Sequence, residues 1–264
     1  MSAADPNALL DLAVRAAVAA GALLVDAYDG AASGVDYKSS ATDPVSDADR
    51  DAEAQIVGLL RSERPDDAVV GEEGAGATGA SGLEWVVDPL DGTVNFLYRI
   101  PQWAVSIACR DASGTLAAVV HDPLRAETFS ASLGGGCTLN GAPLRLAAGP
   151  PLERALVGTG FSYVAAERDL QTAIVARVLP RARDIRRAGS AALDLAWVAA
   201  GRLDVFFEHG LAEWDHAAGD FLVREAGGVV QVLPEEGGLR SGVVAGPAGL
   251  VAELAPLLRA GAAS

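Results

Sequence analysis

The chain has few of the residues that build covalent or soft-metal scaffolds: 264 residues include two cysteines and three histidines. Cys109 and Cys137 form no CxxC pair or disulfide framework, and the histidines lack metal-ligand spacing. This argues against a disulfide-stapled domain and against a zinc site, and leaves the thiols as plain buried residues. Basic charge is scarce too. Twenty Lys and Arg against 35 Asp and Glu give a net charge of −15. Affinity for a phosphate backbone comes mainly from Lys and Arg, so nucleic acid is not an expected partner. The longest apolar stretch, Ala16 to Val25, is too short to span a bilayer, and Asp5 and Asp11 stand where a signal peptide would carry basic residues. The expectation is a soluble cytoplasmic protein with no membrane partner. Ser162 and Ser190 lack the glycines of a GxSxG elbow, which removes support for a serine hydrolase.

Apolar residues, by contrast, make up 50% of the chain, ample for a core near the upper size of one folded unit. The periodicity predicts amphipathic helices over Leu9–Tyr28 and Asp47–Arg61, the second opened by Ser46 with Asp49 in the capping-box position. Strand-like runs follow at 69–71, 84–87, 104–109, 115–120 and 127–131, with no useful helical run between the last three. Residues 1–148 therefore read as an α+β half with an antiparallel sheet. Beyond Pro150-Pro151, strands near 156–159, 184–186, 204–207 and 229–232 alternate with helices near 165–178, 190–200 and 215–226. A last helix near 249–259 completes a layered α/β half, residues 149–264. Gly74, Gly76 and Gly79 match GxGxxG, but they run into another strand and open no helix, so a mobile loop is the better reading than a dinucleotide site. Arg177, Arg181, Arg183, Arg186 and Arg187 form the one basic cluster, expected to pair with carboxylates or to lie at a subunit contact.

The run WVVDPLDGTVNF, Trp85 to Phe96, carries most of the chemistry. An apolar strand ends in Asp88 and Asp91, held three residues apart by a Pro and Gly turn. Two carboxylates and the Leu90 carbonyl then point at one volume suited to a hard divalent cation. A short helix near 93–96 would turn its first N–H groups, those of Gly92 and Thr93 among them, toward a phosphate there.

With Gly71-Glu72-Glu73 after a strand and the WDxAAG run from Trp214-Asp215 to Gly219, the chain resembles the inositol monophosphatase family of magnesium-dependent, lithium-sensitive phosphatases. The DPxDGTxNF signature matches from Asp88 to Phe96, and the resemblance extends from Lys38 at least to Gly228. It implies a five-layered αβαβα sandwich of the inositol monophosphatase and fructose-1,6-bisphosphatase type, and a homodimer. It also implies two to three Mg2+ ions: one on Glu72, Asp88 and the Leu90 carbonyl, a second on Asp88, Asp91 and Asp215, and a third, weaker one by Glu72. Asp49 and Thr93 would activate the water, with Glu72 nearby and Lys38 as a further match. Asp91, Gly92, Thr93, Gly189, Ser190, Ala191 and Glu208 would hold the substrate. The implied activity is hydrolysis of a small phosphate monoester, myo-inositol-1-phosphate, at a metal-activated water. Histidinol phosphate, fructose-1,6-bisphosphate and nucleotide 3′-phosphates are the competing substrates. A regulatory binding protein with incidental phosphatase activity is the non-enzymatic alternative.

Overall fold

A computed structural model of the protein describes residues 5–29, 36–37, 44–45, 47–74, 76 and 78–259, with the pairs 36–37 and 44–45 described by backbone alone. Lys38, Ser46 and part of the 74–82 loop, all singled out in the sequence, lie outside the described residues. Helix α1 (Pro6–Asp29) is followed by two short paired strands, β1 (Asp36–Tyr37) and β2 (Pro44–Val45), and by α2 (Asp47–Glu63). Next come β3 (Ala68–Gly71), β4 (Glu84–Asp91), the one-turn helix α3 (Thr93–Leu97), β5 (Ala104–Asp111), β6 (Gly114–Asp122), β7 (Glu127–Ser132), β8 (Gly136–Leu139) and β9 (Ala142–Leu144). Strands β3 to β9 lie in sequence order in one seven-stranded sheet. Its first pair, β3 and β4, is parallel and the others are antiparallel. The expectation of an antiparallel sheet thus fails at one edge. There the 72–83 loop carries the chain back to the start of the sheet before β4 begins.

The second half contributes β10 (Leu156–Thr159), α4 (Ala165–Val178), β11 (Asp184–Arg186), α5 (Ala191–Ala199), β12 (Val205–His209), α6 (Glu213–Glu225), β13 (Val229–Leu233), β14 (Gly242–Gly246) and α7 (Ala248–Leu254). A 3-10 turn over Ala255–Leu258 prolongs α7. The five strands are ordered β11-β10-β12-β14-β13, with the first three parallel and β14 antiparallel to both of its neighbours.

Alternation along the strands sets the layers, because successive side chains of a strand face opposite ways. Trp85 and Val87 of β4 join α1 and α2 in one core, whereas Val86 between them joins α5 and α6 in a second. Phe206 of β12 enters that same middle core from the other sheet, while Val205 and Phe207 face a third core with α4 and α7. The fold is therefore a five-layered αβαβα sandwich. The α5–α6 layer, shared by both sheets, joins the halves. Gly219 of α6 lets the two helices touch, since a Cβ there would lie 2.5 Å from the Leu195 Cβ.

Helix α1 and three strands also differ from the sequence expectation. An 18-residue window of α1 has mean hydropathy 2.0 and is long and apolar enough to cross a membrane by length and composition, so the apolar segment exceeds the run between Ala16 and Val25. Single charges at Asp11 and Arg15 hid its extent. In this fold it is a core helix, with Ala13, Ala16, Ala17, Ala20 and Leu24 buried. Strands β8, β9 and β14 went unread, being three to five residues long and bounded or interrupted by glycine and proline. Arg110 of β5 pairs with Glu84 of β4 and Glu213 of α6, and so ties the start of α6 to the large sheet.

Candidate active site

The carboxylates of the DPLDGT run stand at the end of β4, where the strand leaves its register with β5 between Asp88 and Asp91. Asp88 accepts a hydrogen bond from the Leu90 N–H at 3.0 Å, an Asx turn that turns the chain back. Gly92 is in the left-handed region at φ 98°, and a Cβ on it would approach the Gln102 carbonyl oxygen to 2.9 Å. Both conformation and space therefore require glycine there. Asn95, one turn into α3, donates to the carbonyls of Gln102 and Ala188 at 2.7 and 2.9 Å, clamping the motif to the second half. Phe96 packs at a tilt against Tyr28 and edge-to-face against Trp103, which holds the other side of the helix.

The second half then closes over these groups. Ser190, the N-cap of α5, donates to Asp91 Oδ2 at 2.6 Å, and the Ala192 N–H donates to the same oxygen at 2.7 Å. Asp91 thus seats on the first turn of α5, where the helix dipole favours a carboxylate. Asp215 in the first turn of α6 accepts from the Ala212 N–H at 2.7 Å. Its dipole-complementing role and its position in the site hold together.

Glu72, Asp88, Leu90, Asp91, Gly92, Thr93, Gly189, Ser190, Ala191, Glu208 and Asp215 all line one cavity of about 520 Å³. Asp49 is wholly buried behind it, and the Thr93 hydroxyl lies 3.0 Å from its Oδ1 and 3.1 Å from the Leu90 carbonyl oxygen. Burial pushes the Asp88 carboxyl well above its usual range, and Glu72, Asp91 and Asp215 add to the effect. Burial likewise dominates at Asp91, pushed up to about 6, and at Asp215, which is raised well above its ordinary value with Asp91 and Glu72 contributing.

Asp88, Asp91 and Asp215 are thus held reluctant to ionise, by burial first and by neighbouring carboxylates second, a cost that a divalent cation among them would relieve. All of the donors are oxygen, as magnesium prefers. Among the described residues no three His, Cys, Asp or Glu side chains converge closely enough, as they stand, to hold a metal ion.

The sequence reading missed three groups at this site. Asn95 bridges the halves. Arg187 lines the cavity, whereas its cluster neighbour Arg186 pairs with Asp184 and Arg177 donates to the Leu257 and Arg259 carbonyls. Asp194 also lines the cavity. Cys109 and Cys137 are buried and unpaired, and burial pushes both thiols up to about 12.

A profile of the inositol monophosphatase family matches residues 5–261. Nus factor SuhB of Escherichia coli is 44% identical over 224 residues covering 84% of each chain. Inositol-1-monophosphatase SuhB of Mycobacterium tuberculosis is 44% identical over 241 residues, 88% of this chain and 82% of that one. A crystal structure of the extragenic suppressor protein SuhB from Bartonella henselae superposes with a TM-score of 0.89 at 37% identity, covering 96% of this chain and 99% of that one.

Proposed function

The chain belongs to the inositol monophosphatase family, and from that premise we propose that it is a magnesium-dependent phosphomonoesterase acting on myo-inositol-1-phosphate. The observation that supports this most is the gathering of Glu72, Asp88, Asp91 and Asp215 from both halves around one cavity. Bound there and at the Leu90 carbonyl, magnesium would supply the positive charge that draws a phosphate ester into an otherwise repulsive pocket and stabilises the leaving oxygen.

The chain's own groups do the positioning. Thr93 gives its single hydroxyl proton to Asp49, which leaves an oxygen lone pair to accept from a water and hold it for in-line attack on phosphorus, with no phosphoenzyme. The N–H groups of Gly92 and Thr93 bind phosphate oxygens, while Gly189, Ser190, Ala191 and Glu208 surround the alcohol. Initial rates on a panel of phosphate monoesters test the substrate. Inositol-1-phosphate should exceed histidinol phosphate, fructose-1,6-bisphosphate and a nucleotide 3′-phosphate in kcat/KM. A higher value for histidinol phosphate would overturn the choice of alcohol and leave the family untouched.

The name Nus factor, carried by the Escherichia coli relative, favours a second role in binding a transcription partner. Binding of the purified full chain to a transcription complex assembled in vitro would support that role, absence of binding would remove it, and the role is compatible with the phosphatase.

A further inference from the structure

Asp194 lies in the first turns of α5, within the otherwise apolar run AALDLAWVA. It is 1% exposed, yet it lines the same cavity as Glu208. Its Oδ1 is buried and has no hydrogen-bond partner. Native structures rarely leave such an oxygen unpaired without a ligand, a water or a reactive role to account for it.

The small sheet packs beside this side chain. Gly158 and Gly160 lie two apart at the end of β10 and so face the same side of the small sheet, the side on which Phe206 and Glu208 of β12 also lie. A Cβ on Gly158 would stand 3.8 Å from the Asp194 Cβ, and a Cβ on Gly160 would overlap the Glu208 carboxylate. The missing side chain at Gly160 makes room for the Glu208 carboxylate, while the one missing at Gly158 makes room for Leu203 and Phe206, with Asp194 in ordinary contact beside them. The two carboxyl groups interact through charge: Asp194 raises the proton affinity of Glu208, and Arg187 lowers that of both. Paired carboxyl groups with a guanidinium close by suit a pair of neighbouring hydroxyls, which need one hydrogen-bond partner each.

We infer that Asp194 is a second binding residue for the alcohol half of the substrate, holding a hydroxyl adjacent to the one that Glu208 holds, so that the pocket selects esters of vicinal diols. The inference rests on the phosphomonoesterase reading above.

The experiment compares kcat/KM for the wild type, Asp194→Ala and Asp194→Asn on inositol-1-phosphate, the monodeoxy-inositol phosphates and phenyl phosphate. Asp194→Ala should lower the inositol-to-phenyl specificity ratio by roughly ten-fold or more, mainly through KM, because a substrate hydroxyl loses its buried hydrogen-bond partner. One deoxy analogue should lose a similar factor with the wild type and nothing further with Asp194→Ala, the non-additivity expected of a direct pair. Asp194→Asn, which keeps an acceptor, should fall between. Equal slowing of all substrates, or losses that remain additive for every deoxy analogue, would overturn the role of Asp194 while leaving the phosphatase reading intact. If the wild type turns over phenyl phosphate but not inositol-1-phosphate, the substrate reading and this inference fail together. A preference of the wild type for an ammonium-bearing ester over inositol-1-phosphate, abolished in Asp194→Ala, would also overturn the diol assignment.

Discussion

At the scale of the residue, two readings of Asp49 make different demands. As a water-orienting group through Thr93, its replacement by Asn, like Thr93→Ala, should lower kcat by about 10²- to 10⁴-fold with little change in KM. As a helix cap alone, it should cost about 1 kcal/mol of stability with near-normal turnover, so paired kinetics and denaturant melts decide. Glu208 gives a pH test. Burial pushes its carboxyl up to about 8, with Arg187 opposing and Asp194 and Asp91 adding to the rise. Between its ordinary value of 4.5 and 8 the folded protein holds a proton that the unfolded chain has lost, so this group makes stability fall as pH rises through that window. In metal-free protein, Glu208→Gln should therefore melt a few degrees above wild type near pH 8.5, by about 2–4 °C, and match it near pH 4.5. A variant that melts below wild type at high pH would contradict the placement of this carboxyl. Asp88 and Asp91 could be picked from the sequence because turn residues and an apolar strand frame them, and Asp215 because its WDxAAG run resembles the family's. Asp194 could not: nothing in an apolar helical run marks the one acidic residue that lines a cavity.

At the scale of the element, α1 meets the large sheet where it has no side chain to spare. A Cβ on Gly21 would lie 2.7 Å from His121 Cδ2 and 3.2 Å from the Pro123 Cβ, and His121 is held to the Thr128 hydroxyl at 3.0 Å. Alanine is the better helix former by about 1 kcal/mol, whereas overpacking costs about 1–3 kcal/mol. Gly21→Ala should therefore destabilise by up to about 2 kcal/mol in chemical denaturation. A stabilised variant would mean that α1 is free to shift on the sheet. The long helices were legible because apolar residues recur at helical spacing over many turns, and Ala165–Val178 emerges with the bounds that the pattern gave. The parallel β3–β4 pair was not legible. Strand direction depends on where a loop returns, and no local residue encodes that.

At the scale of the whole molecule, the sandwich brings together groups far apart in the chain. β4 delivers Asp88 and Asp91, α6 delivers Asp215, and α5 seats Asp91 on its first turn. A chain with net charge −15 thereby concentrates further negative charge in one cavity, an arrangement that makes sense for a phosphate substrate only if cations are held there. The motifs pointed to these carboxylates, and all of them line one cavity. The clamp that assembles them, Asn95 across the halves and Arg110 between β4 and α6, became visible only in three dimensions. The central claim is that the four carboxylates hold the cations that make phosphate hydrolysis possible. Phosphate release from inositol-1-phosphate, followed as magnesium is added back to EDTA-treated wild type and to Asp88→Asn with unchanged circular dichroism, tests it most directly. Wild type should recover turnover from near zero as magnesium rises, and Asp88→Asn should stay inactive. Full turnover in excess EDTA, or a fully active Asp88→Asn, would contradict the account.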